Sequence, residues 1–169
     1  MTYGNGKLNT HNKNNNKMKL IFAILSSILF GTAALGQSVN PELDTNLVKL
    51  LDADEYGMKM YVFVILKTGK NKTTDKAFID SCFTRHLANI ERLAEAKQLI
   101  VAGPFGKNES NFRGLFILNV ETSEEAKILL ETDPAIKANL LTAELYPWYG
   151  SAALSEYIKT HNKIWKTKP

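Results

Sequence analysis

His86 is the residue of this 169-residue chain whose type and position most plainly invite chemistry. Between Thr74 and Gln98 the apolar residues Ile79, Phe83, Ile90 and Leu93 recur at i, i+4, i+11 and i+14, the spacing of one helical face. His86 falls at i+7 of that series, so an imidazole stands in the middle of a stripe that faces the core. Imidazole is also the side chain that gives and takes protons near neutral pH. Position alone leaves two readings open. One is a core histidine with both nitrogens satisfied, as buried polar groups usually are; the other is a general base.

The remaining reactive residue types say less. Asp133 stands directly before Pro134, the pattern of a helix N-cap followed by proline at the first helical position, which accounts for it without chemistry. Cys82 is the sole cysteine, so an intramolecular disulfide is excluded, and beside Phe83 it reads as a small buried residue. Beyond residue 36 the histidines are His86 and His161, with no HxH or CxxC spacing, so neither a metal nor a cofactor is expected. Gly103-Pro104-Phe105-Gly106 is a turn without a phosphate-loop pattern. Tyr146, Trp148, Tyr149 and Trp165 are read as packing, with an aromatic pocket wall as the alternative.

The elements that must position His86 follow from the same patterns. Asn40-Pro41-Glu42-Leu43 is expected to open a short helix with Leu43, Leu47, Leu50 and Leu51 on its apolar side. Strands are expected over Met58–Lys67, Leu99–Ala102, Arg113–Glu121 and Leu141–Tyr146. Gly103-Pro104 is read as ending the second of these, and Pro147 the fourth. The long helix fills the interval before Leu99. A capping box, Thr122 with Glu125, opens a second helix, and Asn139 is placed to end the short Asp133-Pro134 turn in a left-handed conformation. An amphipathic C-terminal helix is expected after Gly150, with a solvated basic face at Lys159, Lys163, Lys166 and Lys168.

The resulting class is α+β, a ferredoxin-like βαββαβ order with a four-stranded antiparallel sheet, helices on one face and an extra helix at each end. Met58–Lys67 and Arg113–Glu121 are apolar on both alternating sets, so the second face of the sheet also needs a cover. Another copy of the chain in a two-fold dimer is the economical expectation, with the terminal helices as the alternative.

Residues 20–35, LIFAILSSILFGTAAL, are 16 uncharged residues preceded by Lys17 and Lys19 and followed by Gly36-Gln37. That is a secretory signal, residues 1–36, with cleavage before Gln37, and the run is shorter than the roughly 20 residues of a spanning helix. The protein is therefore expected to be exported, periplasmic or secreted, with no membrane anchor after cleavage. Met18 makes the more ordinary start. The formal charge of +4 comes from the leader: it holds four of the 21 basic residues and no acid, leaving 17 basic against 17 acidic. The mature chain is neutral, and nucleic acid is not an expected partner. The organisation expected is 1–36 leader, 37–57 helical segment, 58–149 core domain and 150–169 tail.

The segments FVILK, RHLANIERLAEAKQLIVAGP, TSEEAKILLETDPAIKANLL and ELYPW, in that order between about Met58 and Trp148, resemble the YciI-like (YCII-related) proteins. The resemblance implies a homodimeric α+β barrel whose sheets enclose a pocket, with a His–Asp pair at its edge. Carried over by motif, the pair is His86 and Asp133. It further implies a small organic ligand, with lyases on chlorinated hydroxyquinols and lactone isomerases known in the wider group. Two residues depart from the family pattern: Lys97 and Asn139 stand where glycine is usual, and neither touches the pair. The function expected is that of a cofactor-independent lyase or isomerase using His86 and Asp133; a non-catalytic dimeric binding or accessory protein is the alternative.

Overall fold

The computed structural model describes Met1 and residues 40–167. The expected signal sequence, its cleavage site and the alternative start at Met18 lie outside the described residues. The chain divides into two units after Leu43. In the first, Asn40 forms a turn: its side-chain oxygen accepts from the Glu42 N–H at 3.0 Å and its carbonyl from Leu43 at 3.2 Å.

The second unit holds helix α1 (Thr45–Leu51), β1 (Met58–Thr68), α2 (Lys76–Glu95), β2 (Leu99–Pro104), β3 (Phe112–Leu118), α3 (Ser123–Leu130), α4 (Pro134–Lys137) and β4 (Leu141–Ser151). A 3₁₀ segment (Ala152–Glu156) and α5 (Tyr157–His161) follow. The four strands form one sheet in the order β2–β3–β1–β4, antiparallel at every pairing. This is the α+β architecture expected from the sequence.

Strand periodicity sorts the core into two layers. Val62, Val64 and Leu66 of β1 share a face with Phe116 and Leu118 of β3 and Leu141 of β4. The helices cover that face with Leu93, Ala126, Leu130 and Ala135, all buried. Each large apolar side chain so removed from water contributes about 1.5–3 kcal/mol. The opposite face carries Tyr61, Ile100 and Ile117, packed by Phe63, Val101 and Leu115 and by Leu154 and Ile158 of the C-terminal segment. A register shift between Leu99 and Val101 turns Ile100 toward this side as well. The terminal segment thus supplies part of the second cover. Tyr146 and Trp148, opposite Phe63 and Tyr61 on the same face, remain 47% and 38% exposed.

Several boundaries differ from expectation, each for a local reason. The first helix starts at Thr45, because Asp44 accepts from the Asn46 and Leu47 amides and so caps it there. Its leucines are not buried: Leu47 and Leu50 face solvent. β2 runs on through Gly103 and Pro104, and β4 through Pro147 to Ser151. Both are edge strands, where a proline's missing N–H costs no ladder bond. β3 leaves the ladder at Leu118, earlier than its apolar pattern suggests. The C-terminal helix is confined to five residues, and Ile164 and Trp165 beyond it are exposed. Lys97 and Asn139 adopt φ of +58° and +56°, the left-handed exits at which glycine is usual.

Candidate functional site

Helix α2 presents Cys82, His86, Asn89 and Leu93 as its buried face. Asp75 caps the helix by accepting from the Phe78 N–H, and the chain leaves it through left-handed Lys97, with the Gln98 N–H returning to the Leu93 carbonyl. His86 is held from two sides by rings. Phe83, one turn earlier, meets it edge-on at 6.0 Å, and Phe116 of β3 stacks on it at 6.1 Å. Phe116 is opposite Val64, which puts His86 on the helix-covered side of the sheet.

Asp133 reaches the same place from the turn between α3 and α4. Its Oδ1 accepts from the Ala135 and Ile136 amides at 2.9 and 3.3 Å and so caps α4, with Pro134 at the first helical position. Its Oδ2 lies 2.6 Å from His86 Nδ1. One carboxylate therefore caps a helix and anchors an imidazole. A second tie secures the turn: the β1 exit docks on the α4 exit, with Gly69 donating to the Leu140 carbonyl at 2.8 Å and Asn71 to the Asn139 carbonyl at 2.9 Å. A Cβ on Gly69 would run into the Asn139 backbone, so that approach requires glycine.

The proton positions follow from donor and acceptor chemistry. A carboxylate only accepts, so Nδ1 carries the hydrogen and donates it to Asp133; in the neutral ring the lone pair then belongs to Nε2. Nε2 has no hydrogen-bond partner among the described residues, yet no fully buried side-chain nitrogen or oxygen lacks one. Nε2 is therefore reached by solvent, although His86 as a whole is only 8% exposed. An imidazole with one nitrogen fixed by a carboxylate and the other reached by solvent can remove a proton from a molecule that meets it.

The structure adds residues that the sequence pattern did not single out. Asn89, 8% exposed, is the other buried polar residue of the α2 face. Its Oδ1 accepts from Arg92 Nε and Nη2 at 3.2 and 2.8 Å and lies 3.0 Å from the Thr132 hydroxyl. Arg92 Nη2 also donates to Thr132 at 2.9 Å. Two adjacent rungs, His86–Asp133 and Arg92–Thr132 with Asn89 holding the guanidinium, thus join α2 to residues 132–133. The signal for Asn89 was present in the sequence: it follows His86 by three positions, on the same helical face.

Other candidates lie elsewhere. His161 packs at a tilt against Tyr157 in α5, and Cys82 is buried with no partner sulfur. Tyr146 and Trp148 belong to the second face of the sheet. Tyr149 donates to Asp54, which lowers the Asp54 carboxyl and raises the Tyr149 phenol to about 12. Two clefts of about 320 and 240 Å³ surround Asp52, Lys59, Met60 and Glu121; neither includes His86 or Asp133. Among the described residues no group of acids, histidines and cysteines is arranged to hold a metal ion, and no helix is long and apolar enough to cross a membrane.

Comparison with known proteins finds similarity both to a sequence family and to solved structures. The sequence model of the YCII-related domain matches residues 60–149. Among solved structures, the chain is similar to 5-chloro-2-hydroxyhydroquinone dehydrochlorinase (TftG) from Burkholderia phenoliruptrix AC1100, solved in complex with 2,5-dihydroxybenzoquinone. The two share 26% identity over 52% of this chain and 92% of that one, with a TM-score of 0.37. No curated protein matches.

Proposed function

The chain belongs to the YCII-related domain family, and from that premise we propose that it is a cofactor-independent enzyme of lyase or isomerase type acting on a small organic molecule. His86 Nε2 removes a proton from the substrate and Asp133 holds the ring in the tautomer that leaves Nε2 basic. One observation carries the reading: Nδ1 is committed to Asp133 at 2.6 Å while Nε2 is unpartnered and solvent-reached. A purely structural histidine at this burial is expected to have both nitrogens satisfied. In the same proposal the protein works as a homodimer. It is exported through residues 1–36, given the lysines and uncharged run of that segment.

The test does not require the natural substrate to be identified. A panel of enolisable cyclic ketones, lactones and hydroxyquinols is incubated with the protein in D₂O and watched by ¹H NMR for site-specific loss of a carbon-bound proton. The wild type is expected to catalyse exchange on at least one compound, and His86→Gln to lower that rate by roughly 10²–10⁴-fold while staying folded. Exchange that survives in H86Q, or is absent throughout the panel, overturns the mechanism.

A second reading, a dimeric protein that binds a small ligand without chemistry, is favoured by the clefts around Lys59, which lie apart from His86. It predicts ligand-induced changes at Lys59 and Met60 and none at His86.

A further inference from the structure

We infer that Asn89 is a second substrate-contacting group, which donates its free side-chain N–H to the oxygen on which negative charge develops when His86 takes a proton. The inference rests on the reading of His86 as a base and names what the substrate must offer that base.

The amide's orientation is fixed by chemistry. Arg92 is a donor at every nitrogen, and two of its nitrogens point at one atom of the Asn89 amide, at 3.2 and 2.8 Å. That atom must be the oxygen. Thr132 adds little freedom, since its hydroxyl has one hydrogen and the Leu129 carbonyl lies 2.6 Å away. Nδ2, with two hydrogens to give, is then left without a partner. It is absent from the fully buried unsatisfied atoms, so it too is reached by solvent, on a residue more than nine-tenths buried.

Two unpartnered nitrogens therefore stand on one helix face three residues apart, where Cβ atoms are separated by about 5–6 Å. On both residues the atom that is partnered meets residues 132–133. One nitrogen is a base and the other a donor.

The pair fits a substrate whose acidic hydrogen is carried by a carbon bonded directly to a carbonyl carbon. When Nε2 accepts the proton, the C–H electron pair moves into the new C=C bond and the carbonyl pair onto oxygen. The Asn89 N–H then donates to that oxygen; the oxygen pair re-forms the carbonyl either as His86 returns the proton to carbon or as the C=C pair shifts to break the bond to a group on the next carbon, which leaves with the proton from His86. Atoms and electrons balance without a further reactant. A donor aimed at developing charge in a site that excludes most water is worth more in the transition state than in the ground state.

The experiment uses 4-nitrophenolate, a planar oxyanion whose absorption shifts when its oxygen accepts a hydrogen bond, titrated into the ¹⁵N-labelled full chain. The expected result is a shift of the Asn89 side-chain amide protons on binding. Asn89→Ala, which removes the donor without adding charge, is expected to weaken binding about ten-fold or more. Arg92 is exposed, so water solvates it when its acceptor goes. Asn89 amide signals that stay put, an unweakened N89A, or no binding to the wild type would each overturn the inference; should N89A not fold, the wild-type amide shift decides. The two readings fail separately. A response at His86 alone removes this inference and keeps the base, whereas a response at Asn89 alone keeps the donor and removes the base.

Discussion

At the scale of single residues, function turns on what Asp133 does to a ring. Its two oxygens divide the work, one on the α4 amides and one on His86. Replacing it by asparagine tests that division. The substituted amide can still cap α4 through its oxygen, but its nitrogen then donates to Nδ1 and drives the ring's proton to Nε2. D133N should therefore stay folded and lose proton exchange nearly as fully as H86Q, and exchange measured in D₂O checks it. The sequence made His86 visible because a helical stripe has a fixed period, and a polar residue on it stands out. It could not supply the partner: Asp133 is 47 residues away, and its local pattern is fully explained as a cap. Within the sequence, only the family motif joins the two. Asn89 stood on the same stripe, but its meaning depends on Arg92 and Thr132, and the Thr132 contact forms only when the α3–α4 turn docks.

At the scale of elements, the caps at Thr122 and Asp133 were readable in the sequence, whereas the expected cap at Asn40 gave way to Asp44 and two strand prolines misled. The Thr122–Glu125 box forms as its spacing demands, with the Glu125 side chain accepting from the Thr122 N–H at 3.0 Å. Its hydrogen bonds with Thr122 hold the Glu125 carboxyl below its ordinary value of 4.5. A carboxyl depressed in the folded state adds stability above its unfolded pKa and loses it as pH falls through the folded one. The α3 N-terminus should thus weaken on acidification below about pH 4.5. Glu125→Gln keeps a box-forming side chain but cannot titrate. Urea midpoints measured from pH 6 to pH 3 should fall less steeply for E125Q, and parallel curves would contradict the assignment. Pro104 and Pro147, by contrast, look like strand terminators until the sheet order shows that both lie on edges.

At the scale of the molecule, the two-sided strands call for a second cover through their residue pattern alone. The C-terminal segment provides some of it through Leu154 and Ile158. What it leaves open is aromatic: Tyr146 and Trp148, beside partly buried Phe63 and Leu115. A second copy seated there is the proposed remainder. Tyr146→Lys, placed beside Glu144, should raise the protein concentration at which the dimer dissociates by about ten-fold or more, read by sedimentation. A wild type that sediments as a monomer at tens of micromolar would rule the dimer out (a concentration typical of such runs, well above the Kd of a specific pair). The sequence could say that the face needed covering. It could not apportion the cover between a tail and a partner, because both offer apolar residues of the same kind.

Whether Asp133 sets His86 as a base can be read from the ¹⁵N spectrum of the His86 ring at neutral pH. The expected wild-type spectrum has a protonated Nδ1 and an unprotonated Nε2, the two exchanging places in D133N. A wild-type ring with its proton on Nε2, or one indifferent to D133N, would contradict that assignment.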